Sequence, residues 1–301
     1  MRVIIVGGTG LIGQEFTTAL LNEGHQVWVL SRNPQTRQVP TGAAVVSWDG
    51  HTASGWEGLV ELSDAVVNLA GQNIGAGSWS KTRKESICSS RQNSGQAVVS
   101  AFHRSSRKPK VLLQASAIGF YGSSDDRELS EESPAGNDFQ SSICLDWEAS
   151  TQPVEKMGVR RVVIRTGLVM TTKGGMLPRL MLPFNLFLGG PLGSGKQWYS
   201  WIAMQDEIRA MLYLLKNDQS AGVYNLTSPE PLRMSEFGKV LASVIHRPYW
   251  LPAPAFALRV LLGEMSILVL TGQRVSPHRL LTEGFHFQFP TLKSTLENLL
   301  H

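Results

Sequence analysis

The feature that most constrains this chain is the passage from Val3-Ile4-Ile5-Val6, an unbroken apolar run, into Gly7-Gly8-Thr9-Gly10-Leu11-Ile12-Gly13. An apolar run closed by glycines reads as a strand buried on both faces. A Gly-x-x-Gly-x-x-Gly string means little by itself, because glycines cluster in many loops. Here a helical stripe follows it (Phe16, Ala19, Leu20, Leu21), with a stop at Gly24-His25 and a second apolar run, Val27-Trp28-Val29-Leu30. Strand, glycine turn, helix and strand form the unit that holds dinucleotides. Gly7 makes the tight turn, Gly10 lets backbone approach a pyrophosphate, and Gly13 lets the helix pack against the strand. The phosphates then rest on unsatisfied N–H groups at the positive end of the helix. The expected cofactor contacts in this stretch are Gly7, Thr9, Gly10, Leu11, Ile12 and Gly13.

The end of the second strand selects the cofactor. NAD sites usually place Asp or Glu there to accept from the ribose 2′-hydroxyl. This chain has Ser31-Arg32. A guanidinium pairs with a 2′-phosphate through charge-assisted bonds, where a carboxylate would repel it. The pair predicts NADP; the competing reading is a solvated surface arginine.

Composition excludes several classes. With 42% hydrophobic and 17% charged residues over 301 positions, the chain can bury a large core. A net charge of +4 is mild, and no Lys/Arg run is interleaved with aromatics, so no nucleic-acid partner is expected. The cluster Arg104, Arg107, Lys108, Lys110 reads as a solvated loop before a strand. Cys88 and Cys144 show neither metal nor redox spacing, and the seven histidines show no paired ligand spacing, so no metal and no disulfide framework are expected. The apolar run Ile267-Leu268-Val269-Leu270 is far too short to cross a bilayer, and with a core strand starting at Val3 no leader is expected. These features predict a cytoplasmic monomer or homodimer without a membrane partner.

Further apolar runs alternate with helical segments: Ala44-Val45-Val46, Ala65-Val66-Val67-Asn68-Leu69, Val111-Leu112-Leu113-Gln114 and Arg161-Val162-Val163-Ile164, with a long helix over residues 80–102. The fold class is therefore α/β, a Rossmann-type doubly wound parallel sheet with right-handed crossovers. Ligands in such sheets lie beyond the carboxyl ends of the strands, which gathers the glycine turn, Ser31-Arg32, Leu69-Ala70-Gly71 and Ser116 on one rim. After Arg165 the rhythm changes. A glycine-rich loop at 189–195 lacks the ATPase phosphate-loop pattern, since Gly195-Lys196 precedes Gln197. Asp206 is expected to cap a helix bearing Ile208, Met211, Leu212 and Leu215, and Gly222-Val223-Tyr224-Asn225-Leu226 reads as a returning strand. The expected division is 1–230, an NADP-binding domain with substrate-lobe insertions after about 170, and 231–301, a smaller, mostly helical C-terminal lobe.

The motifs also carry a resemblance over essentially the whole chain. Gly7 to Gly13, Asn68-Leu69-Ala70-Gly71, Ser116-Ala117-Ile118-Gly119-Phe120-Tyr121-Gly122 and Arg165-Thr166-Gly167-Leu168-Val169 resemble the extended short-chain dehydrogenase/reductases. Asp146-Trp147-Glu148, Trp201-Ile202-x-x-x-Asp206, Asn225-Leu226-Thr227-x-Pro229-Glu230-Pro231, Gly272-Gln273-Arg274-Val275-x-Pro277 and Leu281-x-x-Glu283-Gly284-Phe285 resemble its epimerase/dehydratase-like branch once called cell-division inhibitors. The resemblance implies the extended nucleotide-binding fold, bound NADP contacted also by Leu69, Ala70, Gly71, Arg91, Ser116 and Val169, and a C-terminal substrate lobe.

It also exposes a departure. The superfamily uses a Tyr-x-x-x-Lys pair whose lysine lowers the phenol's pKa. The matching helix, over residues 138–151, has Cys144 for the tyrosine and Glu148 for the lysine. The superfamily serine falls on Ser116 or Ala117. Tyr121 stands near the rim, either as proton donor or as a packed aromatic; Ser116 either bonds substrate or caps the strand end. Arg91 either grips a cofactor phosphate or ribose or is exposed. Cys144 is read as a small buried hydrophobe, Glu148 as solvated or salt-bridged, and Trp147, Trp198 and Trp201 as core before cleft lining. Two function classes stay open: an NADP-dependent oxidoreductase or epimerase of a small polar, sugar-like substrate with an unusual proton donor (Tyr121, Ser116), or a non-enzymatic NADP(H)-binding redox sensor.

Overall fold

The computed structural model describes residues 1–35 and 38–301. In chain order the nucleotide-binding half runs β1 (Arg2–Val6), α1 (Leu11–Asn22), β2 (Gln26–Ser31), β3 (Ala44–Ser47), α2 (Glu57–Leu62), β4 (Ala65–Asn68), α3 (Lys81–Arg104), β5 (Val111–Ala117), β6 (Glu128–Leu129), α4 (Phe139–Ser150) and β7 (Arg160–Thr166). The rest comprises β8 (Leu168–Met170), α5 (Leu177–Asn185), β9 (Trp198–Tyr199), β10 (Trp201–Ala203), α6 (Met204–Lys216), β11 (Gly222–Leu226), β12 (Leu232–Arg233), α7 (Met234–Val244), α8 (Ala255–Leu262), α9 (Ile267–Leu270), β13 (Arg274–Val275), α10 (His278–Thr282) and α11 (Leu292–Leu300).

Seven strands form one sheet in the order β11-β7-β5-β4-β1-β2-β3, and every pairing is parallel. All seven coincide with segments that the sequence marks as strands, and the inner ones, buried on both faces, carry apolar residues at successive positions. Val3 and Ile5 join a core that contains Phe16 and Leu20 of α1 and Met211 and Leu214 of α6. Ile4 and Val6 pack on the opposite face with Ala97, Val98, Ala101 and Phe102 of α3. The strand order reverses between β1 and β4, and a crevice opens at their carboxyl ends.

Local signals set the helix ends. Gly24, at φ +77°, closes α1, with its N–H donating to Leu21 O and that of His25 to Leu20 O. Ser80 and Asp138 cap α3 and α4 by accepting from Arg83 N and Ser141 N. The expected capping role of Asp206 is not what the structure shows. The cap of α6 is Ala203, and Asp206 sits one turn inside, fully buried, accepting from the backbone N–H groups of Gln288 and Phe289 and from Arg209. A tertiary demand on the carboxylate outweighs the local one.

A separate core unites residues from both sides of position 231. Met170, Leu177, Leu180, Phe184, Tyr199 and Trp201 pack with Met234, Phe237, Leu241, Leu292 and Leu296. Among the described residues no helix is long and apolar enough to cross a membrane, and no cluster of His, Cys, Asp and Glu could hold a metal ion.

Candidate active site

The crevice beside β1 and β4 is a cleft of about 250 Å³ lined by Gly7, Thr9, Gly10, Ser31, Arg32, Leu69, Ala70 and Gly71. Its construction explains the glycines. A Cβ on Gly7, which stands at φ +86°, would lie 2.8 Å from Ala70 N, and one on Gly13 would lie 2.5 Å from Gly7 O. The turn and the two strand ends are therefore in backbone contact. Gly10 differs: a Cβ there meets only Gly7 O, at 3.3 Å, so its open side faces the cleft. Gly10 is also the N-cap of α1, with no side-chain cap and no acid in the first turn, leaving the first N–H groups of the helix, at Leu11 to Gly13, to an anion.

Two arginines complete the electrostatics. Arg32 is exposed at the end of β2 and makes no ion pair or hydrogen bond among the described residues. Its aliphatic stem lies across Gly50, where a Cβ would come within 2.9 Å of Arg32 Cδ. Gly50, at φ +89°, belongs to a turn that Asp49 ties by accepting from His51 N, Thr52 N and the Thr52 hydroxyl. Arg91 is buried, stacks on Trp147 at 4.7 Å and approaches Gly71, yet its guanidinium donates only to Ile87 O and its Nε lacks a partner. Burial pulls its pKa down. A buried guanidinium without an acidic partner, beside Gly71 at the end of β4, fits a phosphate- or ribose-bearing ligand.

Sequence reading had missed the far wall, formed by Trp48, Gly50, His51, Gln72, Ser86, Ser89 and Ser90. Asp49-Gly50, a turn signal just past the third strand, was the available clue. Loop 171–176 reaches the same rim: a Cβ on Gly174 would lie 3.6 Å from Leu11, one on Gly175 would lie 3.8 Å from Val169 O, and Lys173 bonds Glu15 at 2.6 Å. Val169 thus stands beside the loop that covers the start of α1.

Deeper, at the carboxyl end of β5, the residues replacing the superfamily pair form one network. The Ser116 hydroxyl donates to Glu148 Oε1 at 2.6 Å. Arg165 of β7 grips both oxygens of Glu148, Nε to Oε1 at 2.8 Å and Nη2 to Oε2 at 2.9 Å. Arg165 Nη1 donates to the Tyr121 hydroxyl at 3.1 Å, which donates in turn to Asn225 Oδ1 at 2.6 Å. Arg165 also lies 3.3 Å from the Phe120 ring centroid. Although burial works against its charge, the Glu148 partnership leaves the Arg165 pKa raised. Burial pushes the Tyr121 phenol up, opposed by Arg165. Glu148 is therefore the salt-bridged carboxylate that its sequence suggested, and the cation that the helix lacks comes from β7. Cys144 is buried among Ile118, Phe120, Leu129 and Val275, its thiol pushed up to about 11 by burial and by Glu148. Of the tryptophans, Trp201 and Trp147 are core, whereas Trp198 is partly exposed between Arg233 and Arg274.

The sequence profile of the NAD dependent epimerase/dehydratase family matches residues 3–227. The chain belongs to this family. A second profile, a domain of unknown function (DUF1731), matches residues 253–299. Within the family the chain is similar to the epimerase family protein YfhF of Bacillus subtilis, 39% identical over 301 residues that span all of this chain and 98% of that one. It is 38% identical to the epimerase family protein SSP1921 of Staphylococcus saprophyticus, over 99% of each chain. The human epimerase family protein SDR39U1, solved with NADPH, superposes with a TM-score of 0.87 at 31% identity, over 99% of each chain. The family is the one that the motifs resemble.

Proposed function

We propose that the protein is an NADP(H)-dependent oxidoreductase or epimerase of a small polar, sugar-like molecule. The carrying observation is Arg32, unpaired at the end of β2 in a cleft with no acidic lining residue. The NADPH in the human relative supports the same choice. When bound, this cofactor supplies hydride transfer. The chain's own residues then handle one proton at the substrate oxygen. Ser116 Oγ can accept a substrate hydroxyl proton while passing its own to Glu148 Oε1, a transfer along the existing 2.6 Å bond. Tyr121, beside the Arg165 cation, is the phenol available to return a proton to an alkoxide. Arg165 holds positive charge near that phenol, the task that lysine performs elsewhere in the superfamily.

Screening nucleotide sugars and related carbonyl compounds for oxidation of bound NADPH tests this reading. With an active substrate, Tyr121→Phe and Ser116→Ala should each lower turnover more than about tenfold, with NADPH affinity kept, and Cys144→Ala less than about tenfold. Elimination of activity by Cys144→Ala alone would sink the assignment. One observation favours a second reading, a non-enzymatic NADP(H) sensor: the Tyr121 proton and both Glu148 oxygens are already committed to partners within the chain. That reading prevails if no compound oxidises the bound NADPH.

A further inference from the structure

Exposed large apolar residues are concentrated in one region. Leu182 lies on α5 and Leu186, Phe187 and Leu188 directly follow it, and Trp250, Leu251, Phe256, Val260 and Leu261 come later in the chain. The two segments lie side by side. Trp250 N and Leu251 N donate to Gly189 O, the Trp250 indole donates to Phe187 O at 2.9 Å, and Gly193 N donates to Ala253 O. α8 starts two residues later and contains no buried residue; Phe256, Val260 and Leu261 are 71%, 85% and 79% exposed. A helix apolar on nearly every side belongs in a core or in lipid, and this one stands on the surface.

Charge identifies the occupant. Residues 180–195 contain no Asp, Glu, Lys, Arg or His, and residues 248–271 contain only Arg259 and Glu264. Glu264 is neutralised by Lys84. Arg259 makes no ion pair among the described residues, nor does Arg247, whose guanidinium lies 4.8 Å from the Phe187 ring centroid. The apolar face is thus bordered by cations without counter-charge. A two-fold contact with a second copy would place the same uncompensated arginines on both sides. An anionic bilayer satisfies both features, taking the apolar side chains into the headgroup–acyl boundary and the arginines at its phosphates. We propose that the end of α5, Trp250, Leu251 and α8 dock the protein peripherally on an anionic phospholipid membrane. The proposal departs from the expectation of no membrane partner without requiring a spanning helix, since no helix among the described residues is long and apolar enough to cross a membrane.

Flotation of the full chain with phosphatidylserine–phosphatidylcholine vesicles, against pure phosphatidylcholine, tests the proposal. Binding is expected to the anionic vesicles, weakening in high salt. Phe256→Asp with Val260→Asp should lower the vesicle partition coefficient at least about tenfold, and Arg247→Gln or Arg259→Gln about fivefold each. Phe256, Val260 and Arg259 are exposed and Arg247 is partly so, so an unchanged melting temperature identifies folded variants, and the arginine variants serve if the aspartates disturb folding. Absence of flotation on anionic vesicles at low salt overturns the proposal, as does flotation indifferent to both sets of variants. So does a dimer that the aspartates dissociate without any lipid binding.

Discussion

The two halves of the candidate site are built on different principles. The phosphate side of the cofactor cleft is assembled from neighbours in sequence: one strand, one turn and one helix present Gly7, Gly10 and Gly13, and Arg32 follows the end of the next strand. The network at the end of β5 draws Ser116, Tyr121, Glu148, Arg165 and Asn225 from five elements, and its Tyr121–Asn225 bond spans 104 residues. Local construction preserves a recognisable motif because each residue's role depends on backbone geometry nearby. Distributed construction lets one position change when another compensates, as when the cation absent at Glu148 arrives through Arg165.

The most severe test of the local half is Gly10→Val. Its side chain would occupy the open side of the turn without entering the core, so NADPH affinity should fall at least about a hundredfold while circular dichroism stays unchanged. Calorimetry showing retained binding in a folded variant would place the phosphates elsewhere and dissolve the contrast.

The distributed half should fail through stability. Arg165→Met leaves the partly buried Glu148 carboxylate without its cation, at a cost of up to about 3 kcal/mol. Adding Glu148→Gln to it should recover part of that loss in urea unfolding. Equal stabilities for the single and double variants would show that the two residues do not act as a pair.

A third test concerns Glu207, fully buried at the start of α6, with only the Thr166 hydroxyl donating to its Oε1 and its Oε2 unpartnered. Burial raises its pKa from 4.5 to about 8. The acid form is favoured in the fold, so its contribution is fully present below the unfolded value and is lost as pH rises through the folded one. Stability should therefore fall from about pH 4.5 toward about pH 8, by on the order of a few kcal/mol, and Glu207→Gln should flatten that segment. The same slope in both proteins would remove Glu207 as its cause.

The smallest effect is expected at Arg32. Arg32→Ala should weaken NADPH by about 1.5–3 kcal/mol, roughly tenfold to a hundredfold, and leave NADH nearly untouched. A variant that keeps its preference in fluorescence titration would move the 2′-phosphate contact to another residue.

The same contrast explains what the sequence disclosed. All seven sheet strands and the starts of α3 and α4 were legible, because strand and helix patterns act within a few residues. Arg165 was visible as part of a motif, but its pairing with Glu148 required knowing that α4 packs over β7. Asp206 was misread because capping is a local rule and its partners lie 82 and 83 residues away. The exposure of α8 was not legible at all: its apolar residues mark a helix, and only the fold reveals that nothing among the described residues covers them.

Asp206 also bears on how the molecule comes into being. Its carboxylate is buried on a helix of the central sheet and is satisfied by the N–H groups of Gln288 and Phe289. During synthesis, α6 emerges long before those two residues, so until the tail arrives the nascent chain holds a charge that its own core cannot receive. Docking of the tail is therefore a closing step of assembly, and a ribosome that stalls short of residue 288 leaves a nucleotide-binding half that looks whole in sequence but is marked for capture by chaperones or proteases.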